Sequence, residues 1–544
     1  MSEAWDGPPR VMLLGRPVNL YQLAFIGILF FASFTRLWRL DEPPRCYFDE
    51  VYFPPTGAEI LRGQKAAWEY YGHENTHPPL SKLLMAAGQG IYGHKDYHND
   101  PSGNGCWSDD NDKEDVRRRT DPAWLYDPIG WRMPGAIAGV GAVIFMYLLA
   151  RTLFRSEIAG LASSFLLAVD GLALTQARIG TPDSLVLFFI VGALYFLVSN
   201  RWALSGVFLG AGAATKWNAA FIVLPVLMYF AWRLFVRWRE AKSDREMAAA
   251  ERVLLVGAAI VVLGGVLAVP LYIIESHLSW LVVGGSGGVA ALGLFVILGG
   301  IVAILTDSVL RSKERGQVYI QAAVSLSVFF FAVPFAVYMA TYIPMFASGW
   351  DFDHWRYLSD EAYKFHANLS TKHTWQSQWW QWPIDARPVF FEVRNYAKIY
   401  NLGNPLVFWM SLPALAFSLW QGVKYVRIRV EEGSRIAIWG RFGERQAALI
   451  FVVVCWAVLW LFWSTNPRTL FFYHYIPALV FAILALGYVV HWLWEESRFE
   501  WSRHVALVFV IACAITFIYF YPHWAYVDVP KWVDDQYYWF DSWR

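Results

Sequence analysis

Apolar runs of about 20 residues recur along most of this chain and are separated by shorter polar segments. Such runs predict membrane-spanning helices, because a helix is the only open-chain structure that satisfies its own backbone hydrogen bonds in lipid. The pattern therefore predicts an all-α polytopic membrane protein with about 11 to 13 transmembrane helices. The predicted spans are 20–38, 134–154, 158–176, 183–199, 202–216, 218–238, 253–275, 280–306, 318–345, 405–425, 446–463, 470–493 and 504–522.

Three polar segments are too long to be simple turns between spans, namely 41–133, 347–404 and 523–544. Lys and Arg concentrate instead in four short turns, near 151–155, 233–245, 311–315 and 424–441. Positively charged turns tend to stay on the cytoplasmic side of a membrane. We therefore expect a multi-pass protein of the cell membrane whose three long segments, with short interfacial helices in the loops, lie on the extracytoplasmic face.

The predicted spans group into three parts. Residues 1–275 are expected to form an N-terminal transmembrane module that includes the outer loop 41–133. Residues 276–345 are expected to form an additional transmembrane hairpin, whose start is marked by a glycine-rich stretch at 284–288. Residues 346–544 are expected to form a C-terminal module that carries an aromatic outer loop, 347–404, and the outer tail 523–544.

Composition supports the membrane assignment and excludes two classes of protein. Of the 544 residues, 57% are hydrophobic and 16% are charged, which leaves too little polar surface for a soluble protein. The net charge of +1 gives no electrostatic reason to expect a nucleic-acid partner. Trp, Tyr and Phe make up 18% of the chain and suit the two membrane–water interfaces.

The cysteines divide into two pairs. Cys46 and Cys106 fall in the first outer loop, where they are either a disulfide, if the compartment is oxidising, or two free thiols. Cys455 and Cys513 fall inside predicted spans. None of the Cys and His spacings is typical of a zinc site.

An acidic pair, Asp49 and Glu50, follows the first predicted span almost directly. One interpretation is ordinary surface charge on an outer loop. The other is a general base at the membrane surface, where it meets both a lipid and a water-borne substrate. Aromatic neighbours that bury such a carboxylate would raise its pKa toward the working pH.

Several cations lie at the outer ends of predicted spans, where a charge is costly unless it is paired or functional. Arg132 and Lys216 have no acidic partner nearby in sequence, so they either bind a phosphate or snorkel to headgroups. Arg178 and Asp183 flank a short outer turn, and we interpret them as an ion pair that fixes it.

Two further pairs of polar residues are candidates for the same region. Arg468 and His474 open a late span at the outer face; Arg468 suits an anionic headgroup, and His474 is interpreted as a hydrogen-bonded packing residue. His77 and Lys82 flank two prolines and the start of an apolar run in the first outer loop. This segment is either a rigid turn or an interfacial helix, with Lys82 as a possible headgroup anchor.

An ordered set of short motifs resembles the protein O-mannosyltransferases, polytopic enzymes with the membrane glycosyltransferase fold called GT-C. The set runs in the family's order across most of the chain. The matching stretches are FDEVYF (48–53), THPPLSKLL (76–84), WRMP (131–134), QAR (176–178), DSL (183–185), KW (216–217), HANL (366–369), SQWWQWP (377–383), RP (387–388), GNP (403–405) and YHYIP (473–477).

The resemblance implies transfer of mannose from a polyprenyl-phosphate mannose to a Ser or Thr hydroxyl of a secreted or membrane protein, with inversion of the anomeric carbon. Delivery of that protein during translocation is one way for it to reach the site. It implies that Asp49 is the catalytic base and that Arg132 and Lys216 lie near the donor phosphate. Glu50 would orient Asp49 or the acceptor, and Arg468 is a weaker candidate for the phosphate. No metal cofactor is required, although the acidic pair could hold a divalent ion.

The matched motifs contain further candidate site residues. The resemblance does not assign a role to them. His366 lies in one motif, and the outer-loop tryptophans Trp379, Trp380 and Trp382 lie in the next; these rings either cover the sugar or peptide or pack at the interface. The chain departs from the family in having additional predicted spans within 280–345 and an unmatched stretch at 99–121. It also lacks the soluble sugar-binding-like domain of the eukaryotic enzymes, which favours a prokaryotic type.

Two other functions are compatible with parts of the pattern. A different GT-C enzyme would use the same class of donor but modify a lipid or a cell-wall glycan. A transporter would place polar residues in the middle of several spans, whereas the notable charges here lie at the outer ends.

Overall fold

The computed structural model describes residues 10–13, 16–70, 75–92, 127–240, 313–424, 427–431, 435–439, 444–466 and 468–544. In this part of the chain seven helices are long and apolar enough to cross a membrane, or eight if one bent pair counts as a single span. The predicted spans 253–275 and 280–306, most of the predicted additional hairpin, the stretch 99–121 and Cys106 lie outside the described residues.

The helices of the N-terminal half are a long first helix, two short helices in the loop that follows it, and then a compact helical bundle. Its helices are α1 (Leu20–Leu37), α2 (Phe53–Leu61), α3 (Leu80–Ile91), α4 (Pro128–Phe154), α5 (Glu157–Ala168), α6 (Gly171–Ala177), α7 (Asp183–Val198), α8 (Trp202–Thr215) and α9 (Val223–Glu240). Helices α2 and α3 are short helices in the first outer loop, where the sequence predicted interfacial helices.

The C-terminal half repeats this arrangement of long helices joined by a structured loop. Its helices are α10 (Lys313–Ser327), α11 (Val333–Ala340), α12 (Ile343–Ala347), α13 (Phe352–Asn368), α14 (Pro405–Val423), α15 (Glu444–Leu461), α16 (Ile476–His491), α17 (Ser502–Trp524) and α18 (Lys531–Asp534).

The predicted span 158–176 is broken into α5 and α6, which meet at 62°. Asp170 causes the break, because its carboxylate accepts a hydrogen bond from the backbone N–H of Ala173 at 2.8 Å and so caps the N-terminus of α6. Its second oxygen accepts from the N–H of Asn404 at 3.1 Å. The break therefore ties the N-terminal bundle to the start of α14.

Three antiparallel hairpins accompany the helices. They are β1 (Arg10–Leu13) with β2 (Arg16–Asn19), β3 (Val389–Arg394) with β4 (Ala397–Asn401), and β5 (Arg427–Glu431) with β6 (Arg435–Trp439). A bulge between Phe390 and Glu392 shifts the register of the β3–β4 hairpin. Every residue of β4 is buried, so this hairpin belongs to the core of the outer loop.

The core is centred on α16, the most buried of the candidate spans. It packs against α5, α14 and α15, while α4 packs against α5 and α7. The approach of α16 to α5 depends on Gly487, since a Cβ there would lie 1.9 Å from the hydroxyl oxygen of Ser163. A glycine is therefore required at this crossing.

The segment that follows α17 folds back onto the β3–β4 hairpin. Lys398 of β4 donates to both carboxylate oxygens of Asp534, at 2.7 and 2.6 Å. Trp543 is fully buried, and its indole N–H donates to the carbonyl of Asp385 at 2.8 Å. The tail and the aromatic outer loop therefore form one packed layer.

Among the described cysteines, Cys46 is disulfide-bonded, while Cys455 and Cys513 are free and buried. Cys46 belongs to a small cluster of apolar side chains with Phe53, Met85 and Trp131. The cross-link is thus placed next to the acidic pair, on the segment that leads from α1 into the candidate site.

Candidate active site

Asp49 and Glu50 lie in a short 3-10 turn, Phe48–Val51, directly before α2. Phe48 adopts a left-handed backbone conformation with φ of 51°, which costs about 1–2 kcal/mol for a residue with a Cβ. Its ring stacks on Phe391 of β3, with centroids 4.4 Å apart. The hairpin of the second loop therefore stabilises the strained turn that presents the two carboxylates.

Glu50 is fully buried and is held by a complete set of hydrogen bonds. The Nε and Nη2 of Arg132 each donate to one of its oxygens at 2.8 Å, and the backbone N–H of Gly180 donates to Oε1 at 2.7 Å. Such bidentate Arg–carboxylate pairs are among the strongest polar contacts in proteins. Glu50 is thus a fixed structural centre of the turn.

Arg132 is fully buried and uses all five of its N–H groups. Besides the two bonds to Glu50, Nη1 donates to the carbonyls of Leu40 and Pro43 at 3.0 and 2.9 Å, and Nη2 donates to the carbonyl of Arg45 at 2.7 Å. A guanidinium has five donors, so an additional phosphate ligand would have to displace one of these partners.

The expected ion pair between Arg178 and Asp183 is not formed. Arg178 instead donates to backbone carbonyls after α1, including those of Trp38 at 2.8 Å and Arg39 at 2.9 Å. Asp183 accepts from the Nζ of Lys216 at 2.9 and 3.0 Å. Arg178 and Asp183 are close in sequence, but each makes its hydrogen bonds with residues that are distant in sequence.

Lys216 lies at the end of α8 and faces the acidic turn. Its ammonium lies 5.1 Å from the centre of the Tyr473 ring, and two of its three N–H groups are bonded to Asp183. The rings of Tyr473 and Phe48 are nearly perpendicular to each other, with centroids 6.3 Å apart. Lys216 and the turn are thus brought together around one tyrosine.

Asp49 is half-buried and, in the part of the chain that the structure describes, makes neither an ion pair nor a side-chain hydrogen bond. Its surroundings differ sharply from those of the adjacent Glu50. Burial raises the pKa of Asp49 from 3.8 to about 6; the positive charge of Lys216 opposes this shift and the negative charge of Asp183 adds to it. A carboxylate of this kind is suited to accept a proton near neutral pH.

Arg468 approaches the same region from the start of the α16 segment. Its Nη1 donates to Nδ1 of His366 at 2.9 Å, and Nε makes a long contact of 3.4 Å with the carbonyl of Thr469. The second terminal nitrogen, Nη2, has no hydrogen-bond partner among the described residues. Arg468 therefore keeps donors for a ligand, in contrast to Arg132.

The first outer loop brings His77 and Lys82 into this neighbourhood. The ring of His77 stacks on that of His366, with centroids 4.8 Å apart, and its pKa lies well below 6.5 because of burial and the surrounding cations. Lys82 is buried in α3 and donates to Oδ1 of Asn75 at 2.6 Å. Its position in the protein interior differs from that of a headgroup anchor.

The outer-loop tryptophans occupy three different environments. Trp382 is fully buried and donates to the hydroxyl of Ser377 at 2.8 Å; Trp379 packs against Trp460, with centroids 5.1 Å apart; and Trp380 is 53% exposed. His474 is buried against Trp382, and its Nδ1 is hydrogen-bonded to the backbone of Phe471. Of these rings, Trp380 is the most available to a ligand.

Sequence reasoning missed several residues that shape the site. Tyr473 lies between Lys216 and Phe48, Gly180 supplies a backbone donor to Glu50, and Asn75 holds Lys82. A Cβ at position 180 would lie 2.6 Å from the Trp131 ring. Tyr473 and Gly180 adjoin residues that the sequence did single out, but nothing local to them indicated their contacts.

The described residues contain no group of three or more His, Cys, Asp or Glu side chains placed to hold a metal ion. What they do bring together is one weakly held carboxylate with a raised pKa, Asp49, and two cations with remaining donors, Lys216 and Arg468. A carboxylate can take a proton from a hydroxyl, and the cations can neutralise an anionic leaving group.

Two family models match the chain in succession. One, described as dolichyl-phosphate-mannose-protein mannosyltransferase, matches residues 26–275. The other, described as the C-terminal four-transmembrane region of protein-O-mannosyltransferase, matches residues 351–543. Together they include the acidic turn, its partners and Arg468.

Proteins with similar sequences span nearly the whole chain. A polyprenol-phosphate-mannose–protein mannosyltransferase of Mycobacterium tuberculosis is 24% identical over 94% of this chain and 89% of its own length. That of Mycolicibacterium smegmatis is 24% identical over 99% of this chain and 95% of its own. That of Corynebacterium glutamicum is 22% identical over 97% and 94%, respectively.

Among solved structures, the donor-bound Pmt1–Pmt2 protein O-mannosyltransferase complex of S. cerevisiae has the same fold. Its matched chain superposes with a TM-score of 0.66 at 14% identity, covering 98% of this chain and 96% of that chain. The likeness confirms the prediction of the GT-C fold.

Proposed function

Because this chain belongs to the protein O-mannosyltransferase family, we propose that it transfers mannose from a polyprenyl-phosphate-mannose donor to Ser or Thr hydroxyls of proteins, with inversion at the anomeric carbon. The enzyme is a multi-span membrane glycosyltransferase. We place its active site on the extracytoplasmic face of the cell membrane, where an acceptor protein can arrive during or after translocation.

The observation that carries this proposal is the contrast between two adjacent carboxylates. Glu50 is buried and saturated by Arg132 and Gly180, whereas Asp49 is half-buried, without a strong partner, and has a raised pKa of about 6. The first arrangement fixes a turn and the second retains a carboxylate that can accept a proton. Asp49 is therefore assigned as the general base and Glu50 as the group that positions it.

The proposed reaction needs one base and a site for an anionic leaving group. The acceptor hydroxyl oxygen forms a bond to the anomeric carbon as the bond from that carbon to the lipid phosphate breaks. The hydroxyl proton passes to Asp49, and the electron pair of the broken bond stays on the phosphate. A lipid phosphate leaves as an anion, so it requires positive charge nearby instead of a protonating acid.

Lys216 and Arg468 are the residues best suited to that charge neutralisation. Lys216 retains one N–H beyond its two bonds to Asp183, and Arg468 retains Nη2 and further N–H groups beyond its bond to His366. Arg132 has no N–H left over. We therefore assign the donor phosphate to Lys216 and Arg468, and assign Arg132 to holding Glu50.

The test is transfer of radiolabelled mannose from polyprenyl-phosphate mannose to a Ser/Thr-rich peptide by the purified full chain. Asp49→Asn should lower the rate by about 10²–10⁴-fold, the usual contribution of a general base. The matched control is Asp353→Asn, whose side chain is 88% exposed on α13. Release of the label by alkaline elimination identifies the O-linkage, and NMR of the anomeric signals before and after transfer tests inversion.

Equal rates for wild type and Asp49→Asn would refute the assignment of the base. If the folded wild-type protein transfers mannose to a lipid or glycan acceptor and not to the peptide, the proposed acceptor class is refuted. The role of Asp49 can then still be tested by comparing wild type with Asp49→Asn on that acceptor.

A further inference from the structure

Tyr473 lies in a 3-10 turn, Phe472–Tyr475, directly before α16. The turn is fixed by His474, whose backbone N–H donates to the carbonyl of Phe471 at 3.0 Å. The ring of Tyr473 stacks on the ring of Phe471, with centroids 5.5 Å apart, and on that of His474, with centroids 4.9 Å apart. The turn and its neighbouring rings therefore hold the Tyr473 ring in place without a ligand.

The hydroxyl of Tyr473 is not held in the same way. The residue is only 8% exposed, yet its hydroxyl makes no hydrogen bond with any residue that the structure describes. Buried tyrosine hydroxyls usually find a partner, because an unpaired buried donor costs free energy. Tyr475 in the same turn has one, since its hydroxyl accepts from the indole N–H of Trp456 at 2.8 Å. The hydroxyl of Tyr473 is therefore a donor that remains for a ligand.

The charged groups of the candidate active site surround Tyr473. The ammonium of Lys216 lies 5.1 Å from the centre of its ring. The charges of Asp49, Asp183 and Arg468 all interact with its phenol group. The hydroxyl is thus close to the carboxylate assigned as the base and to both cations assigned to the donor phosphate.

We propose that the hydroxyl of Tyr473 donates a hydrogen bond to the phosphate of the lipid donor, an inference that rests on the proposed function. Negative charge grows on the phosphate as its bond to the anomeric carbon breaks, and a donor already in place lowers the free energy of that state. Tyr473 keeps its own proton, while the proton of the acceptor hydroxyl still passes to Asp49.

A neutral donor has an advantage over a third cation at this position. Another positive charge beside Asp49 would favour its ionised form and so make it a weaker base. A phenol O–H adds a hydrogen bond to the phosphate without adding charge. The arrangement therefore stabilises the leaving group and preserves the basicity of Asp49.

The test compares wild type with Tyr473→Phe, using the purified full chain in detergent. The kcat/KM for the lipid donor should fall about 10–100-fold, the effect of one hydrogen bond to a charged group. The Kd for polyprenyl phosphate, which lacks the sugar, should rise about tenfold in a titration by microscale thermophoresis. The KM for the peptide and the pH midpoint of activity should not change, because the substitution removes no charge.

The matched control is Tyr475→Phe, which removes the hydroxyl that binds Trp456. It should lower the temperature of thermal unfolding and leave the donor kinetics and the Kd for polyprenyl phosphate unchanged. Tyr473→Phe should show the opposite result, with a wild-type unfolding temperature, because its hydroxyl has no partner to lose among the described residues.

Three results would overturn the inference. They are an unchanged Kd for polyprenyl phosphate in Tyr473→Phe, an equal loss of affinity in both variants, and no binding of polyprenyl phosphate by wild type. A lower kcat/KM with an unchanged Kd would place the hydroxyl on the sugar instead. Because this binding needs no turnover, weaker binding by Tyr473→Phe would support the inference even if wild type transferred no mannose, a result that would refute the proposed reaction alone.

Discussion

His366 joins Arg468 to the backbone of the first outer loop. Its Nδ1 accepts from Arg468 Nη1 at 2.9 Å, and its Nε2 donates to the carbonyl of Thr76 at 2.8 Å. Since a guanidinium only donates and a carbonyl only accepts, these contacts select the neutral tautomer with the proton on Nε2. Burial and the charge of Arg468 lower the pKa of His366 to about 4, so the imidazole stays neutral at working pH.

Replacing His366 tests whether it positions Arg468. His366→Ala removes the acceptor that orients Nη1 and should raise the KM for the lipid donor by about tenfold, the equivalent of about 1.4 kcal/mol of a lost hydrogen bond to a charged group. The KM for the peptide should change little. Steady-state kinetics with each substrate varied separately provides the measurement.

The matched variant is His366→Gln, because a glutamine amide can donate to Thr76 and accept from Arg468 at the same time. It should retain most of the affinity for the donor. A double-mutant cycle with Arg468→Ala should be strongly non-additive. Additive effects, or equal loss in the Ala and Gln variants, would show that His366 has only a packing role.

The raised pKa of Asp49 predicts how activity depends on pH. Asp49 must be ionised to act as a base, so kcat/KM should rise as the pH increases through about 6 and level off above it. Asp183→Asn removes a negative charge that raises this pKa and releases Lys216, which lowers it. The midpoint for that variant should move to lower pH, and a shift to higher pH would contradict the assignment.

The buried ion pair between Glu50 and Arg132 predicts that replacing Arg132 lowers the stability of the protein. A role of Arg132 in donor binding would instead raise the KM for the donor. Arg132→Met leaves the Glu50 carboxylate buried without its partner and should destabilise the protein by about 3–5 kcal/mol. Thermal unfolding of the detergent-solubilised protein measures the effect. Glu50→Gln/Arg132→Met should be less destabilised than the sum of the single changes.

The exposed pair of Arg151 and Glu157 offers the control, since Arg151 is half-exposed. Arg151→Met should cost about 1 kcal/mol or less. A normal unfolding temperature for Arg132→Met together with a raised donor KM would show instead that Arg132 serves the donor phosphate.

The packed layer formed by the tail predicts that a distant residue supports the catalytic turn. Trp543→Ala removes a fully buried side chain whose indole N–H donates to the carbonyl of Asp385, and should cost about 3–5 kcal/mol. The backbone carbonyl of the same residue accepts from the hydroxyl of Tyr400. Because Phe390 stacks on Tyr400 and Phe391 on Phe48, activity should fall with stability. Trp532→Ala, at a residue 67% exposed on α18, is the control and should change neither.

The sequence was sufficient to predict most of the helical architecture. Apolar runs located α1, α4, α7 and α14, because lipid forces such runs into helices regardless of their partners. It did not reveal that the predicted span 158–176 breaks in the middle, although Asp170 followed by Gly171 is a common helix-start signal. The carboxylate of Asp170 caps a new helix at this point, although the apolar pattern continues through it.

The β3–β4 hairpin was also missed, and its signal was present. Residues 389–394 are rich in β-branched and aromatic types, and Asn395 adopts the left-handed conformation at the turn, with φ of 54°. In a chain dominated by transmembrane helices this short alternation was interpreted only as part of an aromatic loop. Its buried position depends on the tail, which sequence patterns do not show.

The acidic pair could be located from the sequence, but its division of roles could not. Whether Asp49 or Glu50 is the paired carboxylate depends on Arg132, which lies 82 residues from Glu50 along the chain. For the same reason Arg178 and Asp183 were assigned to each other. Pairings of this kind are decided by the tertiary fold and leave no trace in local spacing.

Burial of Trp543 also sets the order of events during synthesis. The hairpin that braces the acidic turn is held by Trp543, whose backbone carbonyl accepts from the hydroxyl of Tyr400 and which lies more than 490 positions after Asp49. The acidic turn can be translated and inserted early, but its supporting wall can close only after residue 543 has left the ribosome and reached the same side of the membrane. A nascent chain would therefore be inactive until the segment around residue 543 has been made and has packed against the hairpin.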